Sequence, residues 1–126
     1  MEINTLLSVL GWEDRFYQGV EAIIRKDKVN KLVLIIFSDY MLMDRMEENR
    51  IRIKELTNSN KIELCEIELD YSNSIGNWKI LDAFFKQNDL GKEVLLNTTT
   101  FPRETIWTFL FFLRKVSNHI RYIYFK

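Results

Sequence analysis

The sequence has little of several residue types that define whole classes of protein. Its 126 residues include one cysteine (Cys65), one histidine (His119), one proline and four glycines. A single cysteine excludes an internal disulfide framework and any metal site built from several cysteines, and it favours a reducing compartment. So little glycine and proline excludes a flexible linker, a collagen-like stretch and a low-complexity segment.

Charge of one sign and long apolar runs are lacking as well. Eighteen basic and eighteen acidic residues give a net charge of +0, whereas a protein that coats nucleic acid without specificity has a basic excess. The longest strongly apolar run, residues 106–113, is far shorter than the roughly 20 residues that span a bilayer. No basic leader precedes the first predicted strand, so we expect a cytoplasmic protein without membrane contact. The 47% hydrophobic content predicts one packed domain over residues 1–126.

What the sequence does contain is an alternation of strand-like and helix-like stretches. The apolar spacing predicts strands over residues 4–10, 31–37, 61–69, 92–97 and 119–125, and helices over residues 13–26, 44–56, 77–86 and 102–116. The charges of the second helix are expected to form a solvated face with pairs along the helix. Strands that alternate with helices pair in parallel through crossover connections.

The order of the strands follows from their polarity. The first, second and fourth strands are nearly continuous in apolar residues, as buried strands of a parallel sheet are, whereas the third and fifth are mixed. The mixed strands belong at the edges, which the order 3-2-1-4-5 satisfies and the flavodoxin order does not. The sequence therefore predicts an α/β fold: a Rossmann-like three-layer sandwich with a mainly parallel five-stranded sheet and helices on both faces.

Two polar turns lie at the predicted switch point of this sheet. The first turn, Gly11-Trp12-Glu13-Asp14-Arg15, follows strand one, and the fourth turn, Asn97-Thr98-Thr99-Thr100-Phe101-Pro102-Arg103-Glu104, follows strand four. Loops at the carboxyl ends of the strands form the ligand crevice of an open α/β sheet. If strands one and four are neighbours, the two turns face each other across it.

The fourth turn has the composition of an anion site. Thr98, Thr99 and Thr100 offer hydroxyls and backbone N–H groups, and Thr100 is the predicted N-cap of the fourth helix. A helix N-terminus attracts phosphate, and Arg103 would add a bidentate donor. Glu104 is a candidate partner in the capping arrangement. The alternative is a capped helix that binds no ligand.

The first turn supplies the facing residues. Gly11 is expected to allow a tight turn, and Glu13 suits the start of a helix. Arg15 would contact a ligand or pair with Glu104, and Trp12 would stack on a base or fill the gap beneath the turn. The sequence contains neither G-x-G-x-x-G nor a P-loop, which disfavours a conventional NAD or ATP enzyme. We therefore predict no cofactor and no metal.

The fourth helix carries more apolar side chains than one face needs. Ile106, Phe109, Leu110 and Leu113 form one face that can pack on the sheet. Three large aromatics fall outside that face and predict a second contact, with another copy of the chain or with a further domain: Trp107, Phe111 and Phe112. The alternative is that strand five and a neighbouring helix cover them.

The two turns also carry a family resemblance. A polar turn after strand one and a threonine-rich turn after strand four, Leu95-Leu96-Asn97-Thr98-Thr99-Thr100 leading into Phe101-Pro102-Arg103-Glu104, resemble those of CARF domains, the CRISPR-associated Rossmann-fold sensors, and of related domains in prokaryotic antiviral defence. The family's fourth turn has an Asp or Asn, a hydroxyl residue and glycines; Asn97 and Thr99 match it, and Thr100 and Phe101 replace the glycines.

The resemblance implies a homodimer that binds a cyclic oligonucleotide or a related nucleotide across its two-fold axis. Thr98, Thr99 and Arg103 would contact phosphates, and Trp12 or Arg15 would contact bases or sugars. The leading hypothesis is a nucleotide-sensing module without catalysis of its own, whose output comes from an effector protein. Two alternatives remain. One is a phosphate-ester or nucleotide hydrolase that uses Glu13 and Glu104 with the two arginines; the other is a protein-interaction module that docks through helix four.

Overall fold

Strands and helices alternate along the chain as predicted. The computed structural model describes residues 2–41, 45–116 and 119–124, without the side chains of Tyr40, Arg103, Glu104 and Val116, and over this part it has five strands and four α-helices. In chain order they are β1 (Glu2–Val9), α1 (Asp14–Lys26), β2 (Lys28–Phe37), α2 (Met46–Ser59), β3 (Glu63–Leu69), α3 (Ser74–Gln87), β4 (Glu93–Asn97), α4 (Arg103–Val116) and β5 (His119–Ile123). A 3-10 turn, Ser38–Tyr40, follows β2.

The five strands form one sheet in the order β3-β2-β1-β4-β5, which confirms the predicted order. All four strand pairs are parallel. The polarity argument holds because β3 and β5 are the edge strands and each has exposed positions, whereas β4 is buried at four of its five residues. The sheet with helices on both faces is a Rossmann-like three-layer sandwich.

Each face of the sheet has its own apolar core. On one face Leu6 and Leu32 pack with Phe16 of α1 and Ile53 of α2. The opposite face has Leu7, Val33 and Leu96 against α3 and α4, whose core residues are Leu81, Phe85, Phe109, Phe112 and Leu113. Successive strand residues point to opposite faces, so one run of leucines in β1 serves both layers.

Several predicted boundaries are wrong, each for a local reason. β2 begins at Lys28 instead of residue 31, because Glu2 at the start of β1 pairs with Lys28. α3 begins at Ser74 instead of residue 77, because the side chain of Asn73 accepts a hydrogen bond from the N–H of Gly76 (3.0 Å) and caps the helix. α2 continues to Ser59, three residues beyond its predicted end. Its predicted first residue and the predicted last residue of strand five lie outside the described part.

The helices are short. The longest of those in the described ranges have 14 residues, and among these helices we find none with the length and apolar character that crossing a bilayer requires.

Candidate functional site

The first and fourth turns lie side by side at the carboxyl edge of the sheet. β1 and β4 are direct neighbours, and Ser8 near the end of β1 is in register with Asn97 at the end of β4. A cavity of about 410 Å³ opens between the turns, within the range of small-molecule sites. Its lining includes Val9, Leu10, Gly11, Trp12, Glu13, Arg15, Phe37, Met46, Thr99, Thr100, Phe101 and Pro102.

Gly11 brings the two turns into contact. A Cβ atom at this position would lie 2.9 Å from the Cγ2 of Thr100 and 3.0 Å from the Cβ of Phe16, closer than side-chain carbons approach. Its φ angle is not positive, so the backbone does not demand glycine for its conformation. The glycine is therefore needed for the space between the turns, not for its conformational freedom.

A buried asparagine that sequence reasoning missed holds the first turn. Asn49 of α2 is fully buried, and its side-chain amide donates to the backbone carbonyls of Gly11 (2.8 Å) and Glu13 (3.1 Å). Because unpaired carbonyls in a buried turn are costly, this amide fixes the path of the chain into α1. The signal was its position: Asn49 shares the buried stripe of α2 with Met46, Ile53 and Thr57.

The charges of α2 do more than form a solvated face. Asp14, the first residue of α1, accepts a hydrogen bond from Arg45, which directly precedes α2, and its Oδ1 lies 3.5 Å from the Nη1 of Arg52. The hydrogen bond to Asp14 raises the pKa of Arg45. Arg52 also stacks over the ring of Tyr17, with its Cζ 3.8 Å from the ring centroid. These contacts join the start of α1 to α2.

The three threonine hydroxyls of the fourth turn are used within the fold. Thr98 donates to the carbonyl of Ile123 on β5 (3.1 Å), and Thr100 donates to the carbonyl of Val9 on β1 (2.6 Å). Thr99 donates to the side-chain oxygen of Asn97 (2.7 Å). The hydroxyls therefore anchor the turn to the strands on both sides of β4. The backbone N–H groups of Thr98, Thr99 and Phe101 are also hydrogen-bonded within the fold, to Ile123, Asn97 and Thr98.

The predicted N-cap at Thr100 is wrong. α4 begins at Arg103, and the carbonyl of Pro102 accepts the first hydrogen bonds of the helix, from the N–H groups of Thr105 (3.0 Å) and Ile106 (3.3 Å). Pro102 occupies the N-cap position, and the hydroxyl of Thr100 is committed to Val9. The missing N–H of proline costs nothing at a helix start.

Among the described side chains that line the cavity, Arg15 is the cation. Its Nη2 lies 3.5 Å from the Oε2 of Glu13, and its Nε is buried with no hydrogen-bond partner among the described residues. Trp12, 45% exposed, lies on the same wall. The starts of α1 and α4, where helix dipoles place partial positive charge, border this cavity.

The remaining predicted site residues are placed as follows. Asn97 is buried, and its amide donates to the hydroxyl of Ser8 (3.3 Å). Thr98 faces β5 and is not among the residues that line the cavity. Arg103 starts α4, but its side chain and that of Glu104 lie outside the described part, so the pair predicted between Arg15 and Glu104 lies outside it too.

A second recess of about 260 Å³ lies beyond Phe37, which lines both cavities. Its mouth includes Tyr71, whose N–H donates to the carboxylate of Asp39 (2.9 Å). The hydroxyl and N–H of Ser72 donate to Asp70 and lower the pKa of that carboxyl. Asp39 therefore organises the loop after β3. Sequence reasoning gave no indication of this recess.

The aromatics of α4 divide into core and surface. Phe112 is buried and stacks on Phe85 of α3, with ring centroids 5.4 Å apart and planes 3° from parallel. Its predicted role in an interface is wrong because α3 covers it. Trp107 is 73% exposed and Phe111 is 43% exposed. For these two, the predicted contact remains open.

Within the described ranges, no three His, Cys, Asp or Glu side chains come together as a candidate metal site.

Comparison of the chain with protein-family models, with curated proteins and with solved structures finds no match.

Proposed function

We propose that the cavity between the first and fourth turns binds a phosphate-bearing nucleotide, and that the protein senses this ligand without catalysis of its own. One observation carries the proposal: the partly exposed side chain of Arg15 lines a cavity that two helix starts border. A guanidinium donates to phosphate oxygens, and a helix start attracts anions.

The other lining residues favour a nucleotide over a bare anion. Trp12 is exposed enough to stack on a base, and Phe37 and Phe101 provide apolar surface below it. Glu13 holds Arg15 at a long distance of 3.5 Å, so a doubly charged phosphate can compete for the guanidinium. The cavity of about 410 Å³ leaves room for a ligand larger than one phosphate group.

Further elements of the proposal come from the resemblance to CARF domains. We propose a cyclic oligonucleotide as the nucleotide, a cytoplasmic protein of a prokaryotic defence system, and two copies that share the ligand across a two-fold axis. Sedimentation with and without a bound oligonucleotide tests the dimer: a monomer under both conditions contradicts it.

Calorimetric titration of the intact chain with inorganic phosphate, AMP and cyclic oligoadenylates tests the ligand class. Arg15→Ala should weaken nucleotide binding by about ten- to hundredfold, because a hydrogen bond to a charged group contributes about 1.5–3 kcal/mol. Trp12→Ala should weaken binding of nucleotides but not of inorganic phosphate. The matched control is Arg25→Ala, on the same helix with a 76% exposed side chain.

Two results would overturn the proposal: no heat of binding with any of these ligands, or an equal loss in Arg15→Ala and Arg25→Ala. The hydrolase alternative stays a prediction. Release of product from the same nucleotides that is lost in Glu13→Ala would favour it over binding alone.

A further inference from the structure

The outer surface of α4 carries large apolar side chains that the described part of the chain leaves partly uncovered. Trp107 is 73% exposed and Phe111 is 43% exposed. The ring of Trp78, on α3, lies 4.9 Å from the ring of Phe111 and is 42% exposed. We name Trp78, Trp107, Leu110 and Phe111 the aromatic surface. Contiguous exposed apolar patches on a monomer mark interaction sites.

A groove runs along this surface and ends in two positive charges. Its volume is about 370 Å³, and it is lined by Trp107, Leu110, Phe111, Arg114 and Lys115. Lys115 places its Nζ 4.1 Å from the ring centroid of Phe111. In contrast to Arg45 and Arg50, neither Arg114 nor Lys115 has a carboxylate partner among the described residues. A bound molecule with acidic groups at this end of the groove would pair with these two cations.

The positions of these charges specify the occupant further. Arg114 and Lys115 lie in the last turn of α4, where a helix packed antiparallel to α4 would place its first turn. Acidic residues are favoured in the first turn of a helix by its own dipole. The spacing of Trp107, Leu110 and Phe111 is that of a helical stripe, against which the apolar face of a second helix can pack.

We infer that the aromatic surface binds an amphipathic helix of a partner protein, antiparallel to α4, with Asp or Glu in its first turn beside Arg114 and Lys115. The inference does not rest on the nucleotide site. A lipid surface would satisfy the cations and the aromatic rings, but it has no convex ridge to fill the groove, so the groove favours a helix.

Two synthetic helical peptides with the same Leu and Phe stripe test the inference by fluorescence anisotropy with the intact chain. The acidic peptide has Glu in its first turn, and the basic peptide has Lys at the same positions. The acidic peptide should bind about tenfold more tightly, because its carboxylates pair with Arg114 and Lys115, whereas the lysines of the basic peptide are repelled by them. The double variant Arg114→Glu with Lys115→Glu should reverse the preference.

Trp107→Ser should weaken binding of the acidic peptide by about tenfold or more, as loss of a central aromatic contact does. The control is Ile51→Ser on α2, where Ile51 is 49% exposed but lies on another helix; its affinity should equal that of the natural chain. Both changed side chains are exposed, and matching thermal unfolding curves verify that both variants remain folded.

Three results would overturn the inference. The first is equal binding of the two peptides by the natural chain. The second is binding to phosphatidylserine–phosphatidylcholine vesicles in the absence of acidic-peptide binding, which would assign the surface to lipid. The third is a dimer in sedimentation that Trp107→Ser dissociates, which would assign it to a second copy.

Discussion

The two helical layers cover the sheet equally well but differ in their outer surfaces. On the α1–α2 layer, charged side chains pair between elements: Arg52 with Asp14 of α1, and Arg50 with Glu66 of β3 at 2.7 Å. The outer side of the α3–α4 layer instead exposes the aromatic surface. Charges of the α1–α2 layer thus pair between elements, whereas α4 leaves apolar area exposed and, at Arg114 and Lys115, cations without a carboxylate partner among the described residues.

The largest expected effects test whether the difference is confined to the surface. Phe109, on α4, is fully buried and contacts Phe101 with ring centroids 5.4 Å apart. Phe109→Ala should lower the free energy of unfolding by about 3–5 kcal/mol, and Ile53→Ala in the other layer by about 2–5 kcal/mol, through lost burial and a residual cavity. Urea denaturation measures both.

Ile51→Ala is the control for these core variants, because Ile51 is exposed on the same helix as Ile53. Its effect should stay within about 0.5 kcal/mol. If Phe109→Ala lowered stability no more than Ile51→Ala, the α3–α4 layer would not be a packed core. The two layers would then differ in their interiors as well as in their surfaces.

The next largest loss of folding stability is expected from replacing Asn49. Asn49→Leu removes the side-chain donor from the carbonyl of Gly11 and from that of Glu13, which keeps the N–H of Phe16 (3.2 Å); it should cost about 1–3 kcal/mol. Asn60→Ala, which removes one exposed hydrogen bond to Leu56, should change stability by less than about 0.5 kcal/mol. Amide hydrogen exchange should also accelerate at residues 11–16 in Asn49→Leu alone. Equal losses of stability in both variants would show that the buried Asn49 amide contributes no more than an exposed hydrogen bond.

The smallest effect separates paired from unpaired charge. Arg50→Ala should lower stability by about 0.2–1 kcal/mol at low salt, because its pair with Glu66 is still partly exposed. The difference should shrink in about 1 M NaCl, where the screening length is about 3 Å. Arg114→Ala should show neither the loss nor the salt dependence. Thermal unfolding at two salt concentrations makes the measurement, and the same salt response in both variants would contradict the contrast between the layers.

The sequence predicted the sheet well because strand polarity is a direct record of burial. The edge positions of β3 and β5 follow from their polar residues, and the order in turn places the two turns together. The starts of the helices were predicted less well. The start of α3 depends on one contact, the hydrogen bond from the N–H of Gly76 to the side chain of Asn73. In a polar segment such a side chain can also form a turn, so the sequence alone does not fix where the helix begins.

The details of the candidate site depend on contacts between residues far apart in the chain. Thr100 looked like a helix cap, but a carbonyl at the end of β1 takes its hydroxyl. Phe112 lay off the predicted sheet-facing side of α4, yet α3 packs against that side. The packing of α2 on the first turn, and therefore the role of Asn49, becomes visible only once both are folded. Local spacing does not encode these contacts.

The anchoring of the fourth turn has a consequence for the speed of recognition. Thr98 and Thr100 bind this loop to carbonyls of two different strands. The loop therefore loses its conformational freedom when the chain folds, before any ligand binds. The fourth turn is therefore preorganised, and little entropy would be lost by ordering it when a ligand binds. Encounter, rather than slow loop rearrangement, should then limit how fast a small molecule is captured at this edge.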